Sequence, residues 1–305
     1  MQIPVIDFSS YDEDNPQALR DLATRVNAAL TGIGFMSLEN IGIDMALRDR
    51  VFAASKAFFA QEDAEKRKLG YSSAEENFGY QGVCEESLEP GHPPDLKEAL
   101  TLRNLPSRMD YPWPDSDFRD LLMAFYQDCM AAAYRVMRVF ATDLDVPLDY
   151  FVRVHTGTNV TMRLLHYPPL SAATDGQLGA GAHTDYGMIT LLFQDQVGGL
   201  EVCDRDGTWQ AVEPIPGAVV INVGDLTERW TNNRYRSSQH RVQPRGGFGD
   251  RYSIALFVDP DPETLVECLA SCTGADNPPQ YAPTSAGEHI LQKIQATHAK
   301  PRAAT

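Results

Sequence analysis

After Asp149 the sequence changes character, and that change limits the available folds more than any other feature. Short runs rich in β-branched and aromatic residues follow one another at 160–167, 189–193, 199–202, 209–212, 218–223, 239–243 and 252–258. Seven or eight short strands with turns roughly every 8–12 residues predict a sandwich or barrel. Pro216-Gly217 suits the centre of a type II turn, and Gly246-Gly247-Phe248-Gly249 suits a hairpin loop.

The first half follows a helical period. Ile3 and Val5 open a short strand, and Asn15-Pro16 reads as an N-cap followed by proline at the first helical position. Leu19, Leu22, Ala23, Val26 and Leu30 then fall on one helix face. Gly32 and Gly34 break that helix before a strand at 35–38. Asp44 can cap a second helix, with Leu47, Val51, Ala54 and Phe58 inward. The pairs Glu62/Lys66 and Asp63/Arg67 predict an exposed helical continuation. Residues 71–117 read as loops interrupted by a strand at 99–102, and a core helix is expected over 118–143. No segment is polar or long enough to separate independent domains. The expected organisation is therefore one domain over 1–305: a mainly helical part at 1–150, a β core at 155–260 and a C-terminal extension at 261–305.

Acidic residues outnumber basic ones by 42 to 26, leaving a net charge of −16 and no electrostatic source for binding nucleic acid or an acidic membrane. Met1-Gln2-Ile3-Pro4 lacks the basic, then apolar, start of a signal peptide, and no apolar run reaches the roughly 18 residues of a membrane span. Five cysteines without C-x-x-C argue against disulfides and a cysteine zinc site. The expectation is a soluble cytoplasmic protein acting on a small molecule, with no nucleic-acid, membrane or protein partner.

One constellation carries chemistry. His183-Thr184-Asp185 is expected at the start of a strand, where residues two apart share a face, and His240 follows 55 residues after Asp185. Two imidazoles and one carboxylate on one face of a metal leave positions open, which suits non-haem Fe(II) activating oxygen. Arg251 and Ser253, the first 11 residues beyond His240, also share a strand face and offer a guanidinium and a hydroxyl to a carboxylate.

Together these residues resemble the iron- and 2-oxoglutarate-dependent oxygenases of the isopenicillin N synthase-like group. That group has an H-x-D motif, a distant second histidine and then R-x-S. The likeness extends to Ile3-Pro4-Val5-Ile6-Asp7-Phe8, Phe58-Phe59 with Glu65-Lys66, Asp95-Leu96-Lys97-Glu98 and Asn222-Val223-Gly224-Asp225. The resemblance implies a double-stranded β-helix, or jelly roll, flanked by helices. It implies that His183, Asp185 and His240 are catalytic and hold Fe(II), and that Arg251, Ser253 and Tyr167 hold the distal carboxylate of 2-oxoglutarate. The implied reaction is a dioxygenase reaction. O2 and 2-oxoglutarate are consumed, succinate and CO2 are released, and a small molecule is hydroxylated or desaturated. For the substrate, the resemblance points to Arg163, on the face of Leu165 and Tyr167, to Phe257, on the face of Arg251 and Ser253, and to Phe78 and Tyr80 in a pocket-closing loop.

Other residues read as structural. His166 should face the helices, Cys268 and Cys272 should pack, and Arg229, Arg234, Arg236 and Arg241 should be solvated or paired. The sequence departs from the family's plant members at Leu165, where those enzymes carry Asn, and at Arg229-Trp230. Two alternatives stay open. One is an oxidase like isopenicillin N synthase itself, using no 2-oxoglutarate, in which Arg251, Ser253 and Tyr167 would bind the carboxylate of the substrate. The other is fragmentation of 2-oxoglutarate, suggested by the likeness of Gly181-Ala182-His183-Thr184-Asp185-Tyr186-Gly187 to the ethylene-forming oxygenase. A non-catalytic jelly roll would be expected to lack a ligand, and all three are present.

Overall fold

In the computed structural model the described residues are 2–298 apart from 74, 90, 109, 110, 170, 172, 173, 175 and 245–248, without the side chains at 296–298. Helix α1 (Pro16–Gly32) begins where Asn15 accepts hydrogen bonds from the Gln17 and Ala18 amides, and α2 (Met45–Phe59) begins where Asp44 does the same for Ala46 and Leu47. Helix α3 (Asp63–Lys66) is a short continuation. Asp63 pairs with Arg67 on the surface, but Lys66 departs from the expected exposed pair with Glu62: it is buried and meets Glu98 at 2.7 Å. The long helix α4 (Ser116–Asp143) is capped by Asp115 and buries Leu122, Phe125, Met130, Ala133, Met137 and Phe140.

The strands are β1 (Val5–Asp7), β2 (Phe35–Glu39), β3 (Phe78–Gln81), β4 (Glu98–Arg103), β5 (Val160–Tyr167), β6 (Ala180–His183) and β7 (Ile189–Gln194). They continue with β8 (Leu200–Cys203), β9 (Trp209–Ala211), β10 (Val219–Val223), β11 (His240–Val242) and β12 (Arg251–Val258). An eight-stranded sheet runs in the order β1-β2-β10-β7-β12-β5-β4-β3, and a four-stranded sheet in the order β6-β11-β8-β9. The helical first half thus supplies four strands of the large sheet. Beyond them lie the hairpin β13 (Leu265–Val266) with β14 (Thr284–Ser285), the short helix α5 (Asp225–Trp230) and the C-terminal helix α6 (Ala286–His298). Gly217 has φ +82°, as the central glycine of the expected type II turn requires. The glycine-rich hairpin expected around 246–249 falls largely outside the described residues.

The core has two parts because the large sheet is covered on both faces. The main cluster packs α1, α2 and α4 against its outer face, through residues such as Met162, Leu164, Ile254 and Leu256. A smaller cluster, including Phe35, Ala99, Leu165, Leu200, Val202 and Val242, fills the space between the sheets. Period two sorts one strand between them, so Leu165 and Tyr167 of β5 look inward while Met162 and Leu164 look toward the helices. This is a double-stranded β-helix flanked by helices. No helix among the described residues is long and apolar enough to cross a membrane.

Candidate active site

His183, Asp185 and His240 offer ligand atoms that all lie within 4.8 Å of one another, and they are the group of this kind found among the described residues. His240 stands opposite His183 in the β11–β6 register, and their rings lie 4.3 Å apart between centroids. Asp185 arrives differently from expected. Strand β6 ends at His183, so H-x-D is not the start of a strand, and Asp185 occupies the turn leading into β7. That turn is clamped by the residues after β10. The Asp225 amide donates to the Asp185 carbonyl at 2.8 Å, and the Leu226 amide to the Gly187 carbonyl at 3.0 Å. A Cβ at Gly224 would lie 2.5 Å from the Gly187 carbonyl oxygen, so only glycine permits this approach.

Each donor is oriented from behind. The Nδ1 of His183 sits 2.8 Å from the Gly181 carbonyl and that of His240 3.2 Å from the Ser238 carbonyl, leaving both Nε2 atoms for a metal. Thr190 Oγ1 (2.5 Å) and Asn222 Nδ2 (2.6 Å) donate to Oδ2 of Asp185, leaving Oδ1 beside His240 Nε2 at 3.6 Å. Burial, reinforced by the His240 ring, pushes the His183 pKa down and keeps a neutral lone pair available. For Asp185 burial acts upward, but His240, His183 and the hydrogen bonds from Thr190 and Asn222 outweigh it and keep the carboxylate ionised. Two imidazoles and a carboxylate fit a divalent first-row metal such as Fe(II).

The cavity between the sheets joins this triad to Arg251, Ser253 and Tyr167. Arg251 is 4% exposed, donating through Nε to the Gly198 carbonyl at 2.7 Å and through Nη1 to Ser253 Oγ at 3.3 Å. Its guanidinium lies 4.6 Å from the Tyr167 ring centroid. Among the described residues it has no carboxylate partner. A buried guanidinium fixed by neutral groups is an anion site prepared for a ligand.

A second cleft, of about 750 Å³ including its open mouth, shares His183, Asp185, Arg163 and Phe257 with that cavity. Arg163 and Phe257 line it. Arg163 is paired there with Glu86 at 2.9 Å and donates to Thr101 at 3.1 Å. Phe78 and Tyr80 do not reach it, which corrects the expectation. Both stand opposite helix-facing residues of β4, Leu102 and Leu100, and directly opposed residues share a sheet face. Phe78 packs on Tyr111 at 4.4 Å, and Tyr80 packs on Phe58 and bonds Glu98. The loop after β3 contributes to the cleft through Glu86 and Leu88 instead.

Reading along the chain also misses Arg103, Asn159 and Asp259, which line the cleft, and Ile290 and Ile294 of α6, which line it too. Thr190 and Asn222 were missed as carboxylate holders; the Asn222-Val223-Gly224-Asp225 motif was the available signal. His166 faces the helices as expected, stacked on Tyr252 between Glu98 and Asp250. Arg234 and Arg241 pair with Asp143 and Glu201.

The family model for the 2OG-Fe(II) oxygenase superfamily matches residues 158–260, and that for the N-terminal region of non-haem dioxygenases in morphine synthesis matches residues 3–119. A 2-oxoglutarate-Fe(II) type oxidoreductase of Emericella nidulans, hxnY, is 34% identical over 98% of this chain and 91% of its own length. The 2-oxoglutarate-dependent dioxygenase citB of Monascus ruber is 34% identical over 97% of this chain and 95% of its own. Among solved structures, a full-length Neurospora crassa protein in complex with α-KG aligns with a TM-score of 0.87 at 32% identity, over 97% of this chain and 96% of that one. The same protein has been crystallised with α-KG and thymine.

Proposed function

The chain belongs to the 2OG-Fe(II) oxygenase superfamily, and from that premise we propose that His183, Asp185 and His240 hold its iron and that Arg251, Ser253 and Tyr167 hold its 2-oxoglutarate. It is an Fe(II)- and 2-oxoglutarate-dependent enzyme that oxidises small molecules with O2. When bound, the iron supplies oxidative decarboxylation of 2-oxoglutarate to succinate and CO2, coupled to hydroxylation or desaturation of a substrate C–H bond.

The residues divide the remaining work. Thr190 and Asn222 hold Asp185 in one rotamer, so a metal meets a fixed donor set. Arg251 takes the distal carboxylate at the closed end of the cavity, with Ser253 and Tyr167 beside it. This orients the keto-acid end toward the triad. Phe257 and Arg163 line the substrate approach, and Leu88, Ile290 and Ile294 keep water from the reacting carbon.

The carrying observation is one cavity containing both the three convergent donors and a buried guanidinium that has no carboxylate partner among the described residues. The relatives' names and the α-KG complex of the structural neighbour favour 2-oxoglutarate use over the oxidase reading, in which Arg251, Ser253 and Tyr167 would bind a substrate carboxylate instead. A single unit over 1–305, acting in the cytoplasm on a free small molecule, belongs to this proposal. It is supported by β1 and β2 pairing into the sheet that carries β12.

The test is an anaerobic calorimetric titration with Fe(II), then 2-oxoglutarate. One tight Fe(II) per chain is expected, lost in Asp185→Ala and His240→Ala while the folded circular-dichroism spectrum persists. Undiminished Fe(II) binding in both variants would sink the triad assignment.

A further inference from the structure

Arg103 ends β4, and its position follows from strand register. It stands opposite Thr161 of β5, Thr161 opposite Phe257 of β12, and Phe257 opposite Thr190 of β7. Thr190 in turn stands opposite Asn222 of β10. Because Thr190 and Asn222 grip Asp185, one row of residues crosses the sheet from the metal centre to Arg103. Three strand spacings, roughly 14 Å between backbones, separate Thr190 from Arg103. A long side chain directed into the cleft shortens that gap to the length of a small organic molecule.

The charges in the cleft are not equivalent. Arg163 is neutralised by Glu86, which also meets Lys97 at 3.1 Å. Arg103 makes no ion pair among the described residues. Its hydrogen bond is from Nη2 to Oδ1 of Asn159 at 2.7 Å, and the Asn159 amide is itself fixed by donating to the Pro260 carbonyl at 2.8 Å. Asp259 lines the same end and accepts from the Met188 amide at 3.0 Å without pairing with Arg103. Burial pushes the Asp259 carboxyl up to about 7 against the Met188 amide and the Arg103 charge, so near neutrality it carries only part of a negative charge. Burial also lowers the Arg103 pKa, and the nearby Asp259 charge, acting without a direct ion pair, opposes that shift only in part.

We propose that Arg103 determines the substrate class: it receives the carboxylate of a small organic acid whose carbon skeleton lies along Phe257 toward the metal centre. The inference rests on the proposed function above. A carboxylate would give Arg103 a directly paired counter-ion through the planar fork, with Asn159 holding the guanidinium in plane. A neutral ligand would leave that charge uncompensated in a partly desolvated site, which is costly.

Calorimetry on the protein loaded with Mn(II) and 2-oxoglutarate tests this. The probes are benzoate, phenylacetate and phenylpropionate, each against its uncharged primary amide. At the best spacer length the acid should bind about tenfold more tightly than the amide, a difference near 1.4 kcal/mol. Arg103→Met should shrink that preference to about twofold or less, and Arg103→Lys should keep part of it. Because 2-oxoglutarate sits at Arg251, its affinity should be unchanged in Arg103→Met, which separates loss of this contact from misfolding. Amides binding as well as acids throughout the ladder, or a preference surviving Arg103→Met, overturns the inference. A wild-type protein that binds no 2-oxoglutarate overturns the proposed function, and this inference with it.

Discussion

Single side chains decide how ligands are held. Arg251 presents a planar fork beside Ser253 and Tyr167, and Arg251→Lys keeps the charge but not the fork. We expect the apparent 2-oxoglutarate constant to rise about tenfold or more, with Fe(II) affinity changed by less than about twofold. Equal losses of both would mean that Arg251 supports the fold rather than the cosubstrate. Thr190→Val removes one of the two hydrogen bonds to Asp185 Oδ2 at nearly constant shape. Fe(II) affinity should fall roughly 10- to 100-fold, as for other residues that orient a metal ligand, with 2-oxoglutarate affinity following only through the metal. Arg251 and Ser253 were legible from their spacing on a strand, and the donors from residue type and the H-x-D pattern, although Asp185 reaches the site from a turn rather than a strand. Arg163 was legible as a cleft residue, but its pairing with Glu86 was not, because that contact joins residues 77 apart in sequence.

At the scale of elements, β6 is a weak support for a metal ligand. It pairs with β11 on one side, and on the other the Gly181 amide donates to Asp95 (2.9 Å) and the Ala182 amide to Glu89 (3.0 Å). Two loop carboxylates thus stand in for a neighbouring strand beside His183. Asp95→Ala should therefore speed hydrogen exchange at the Gly181 amide and weaken Fe(II) binding about tenfold. Unchanged protection at Gly181 would show that β6 is held without the loop. The Asp95-Leu96-Lys97-Glu98 motif was visible in the sequence, but its role was not. Period two splits it, with Lys97 toward the cavity and Glu98 toward the helices.

For the whole molecule, burying this much charge makes stability depend on pairing. Arg163→Met leaves Glu86 with Lys97 alone and should cost about 3–5 kcal/mol in urea unfolding, whereas removing both partners as Arg163→Met with Glu86→Leu should recover part of it. A double variant no better than the single one would deny the coupling. On the outer face of the sheet, burial works against the His166 imidazolium, but hydrogen bonds to Glu98 and Asp250 prevail and raise its pKa above the ordinary value. A group raised on folding contributes fully below its unfolded pKa of about 6.5 and loses that contribution as pH climbs through its native value. The wild-type urea midpoint should accordingly decline over that rise relative to His166→Gln. Parallel pH profiles would remove His166 from the account.

The sequence by itself determined what depends on local order: the caps at Asn15 and Asp44, the strand set after Asp149, the inward face of β5 and β12, and the donor set at His183, Asp185 and His240. The caps and faces follow from turn chemistry and period within a few positions, and the donor set from residue type in a pattern that spans 183–240. Tertiary structure alone decided which face of β3 met the helices, which arginine of the cleft had no direct ion pair among the described residues, and which loop carboxylates braced β6. Those outcomes depend on register between strands far apart in sequence and on pairing across the cavity. Arg103 and Arg163 are both inward-facing residues on neighbouring strands, and only the arrival of Glu86 beside one of them makes their chemistry different.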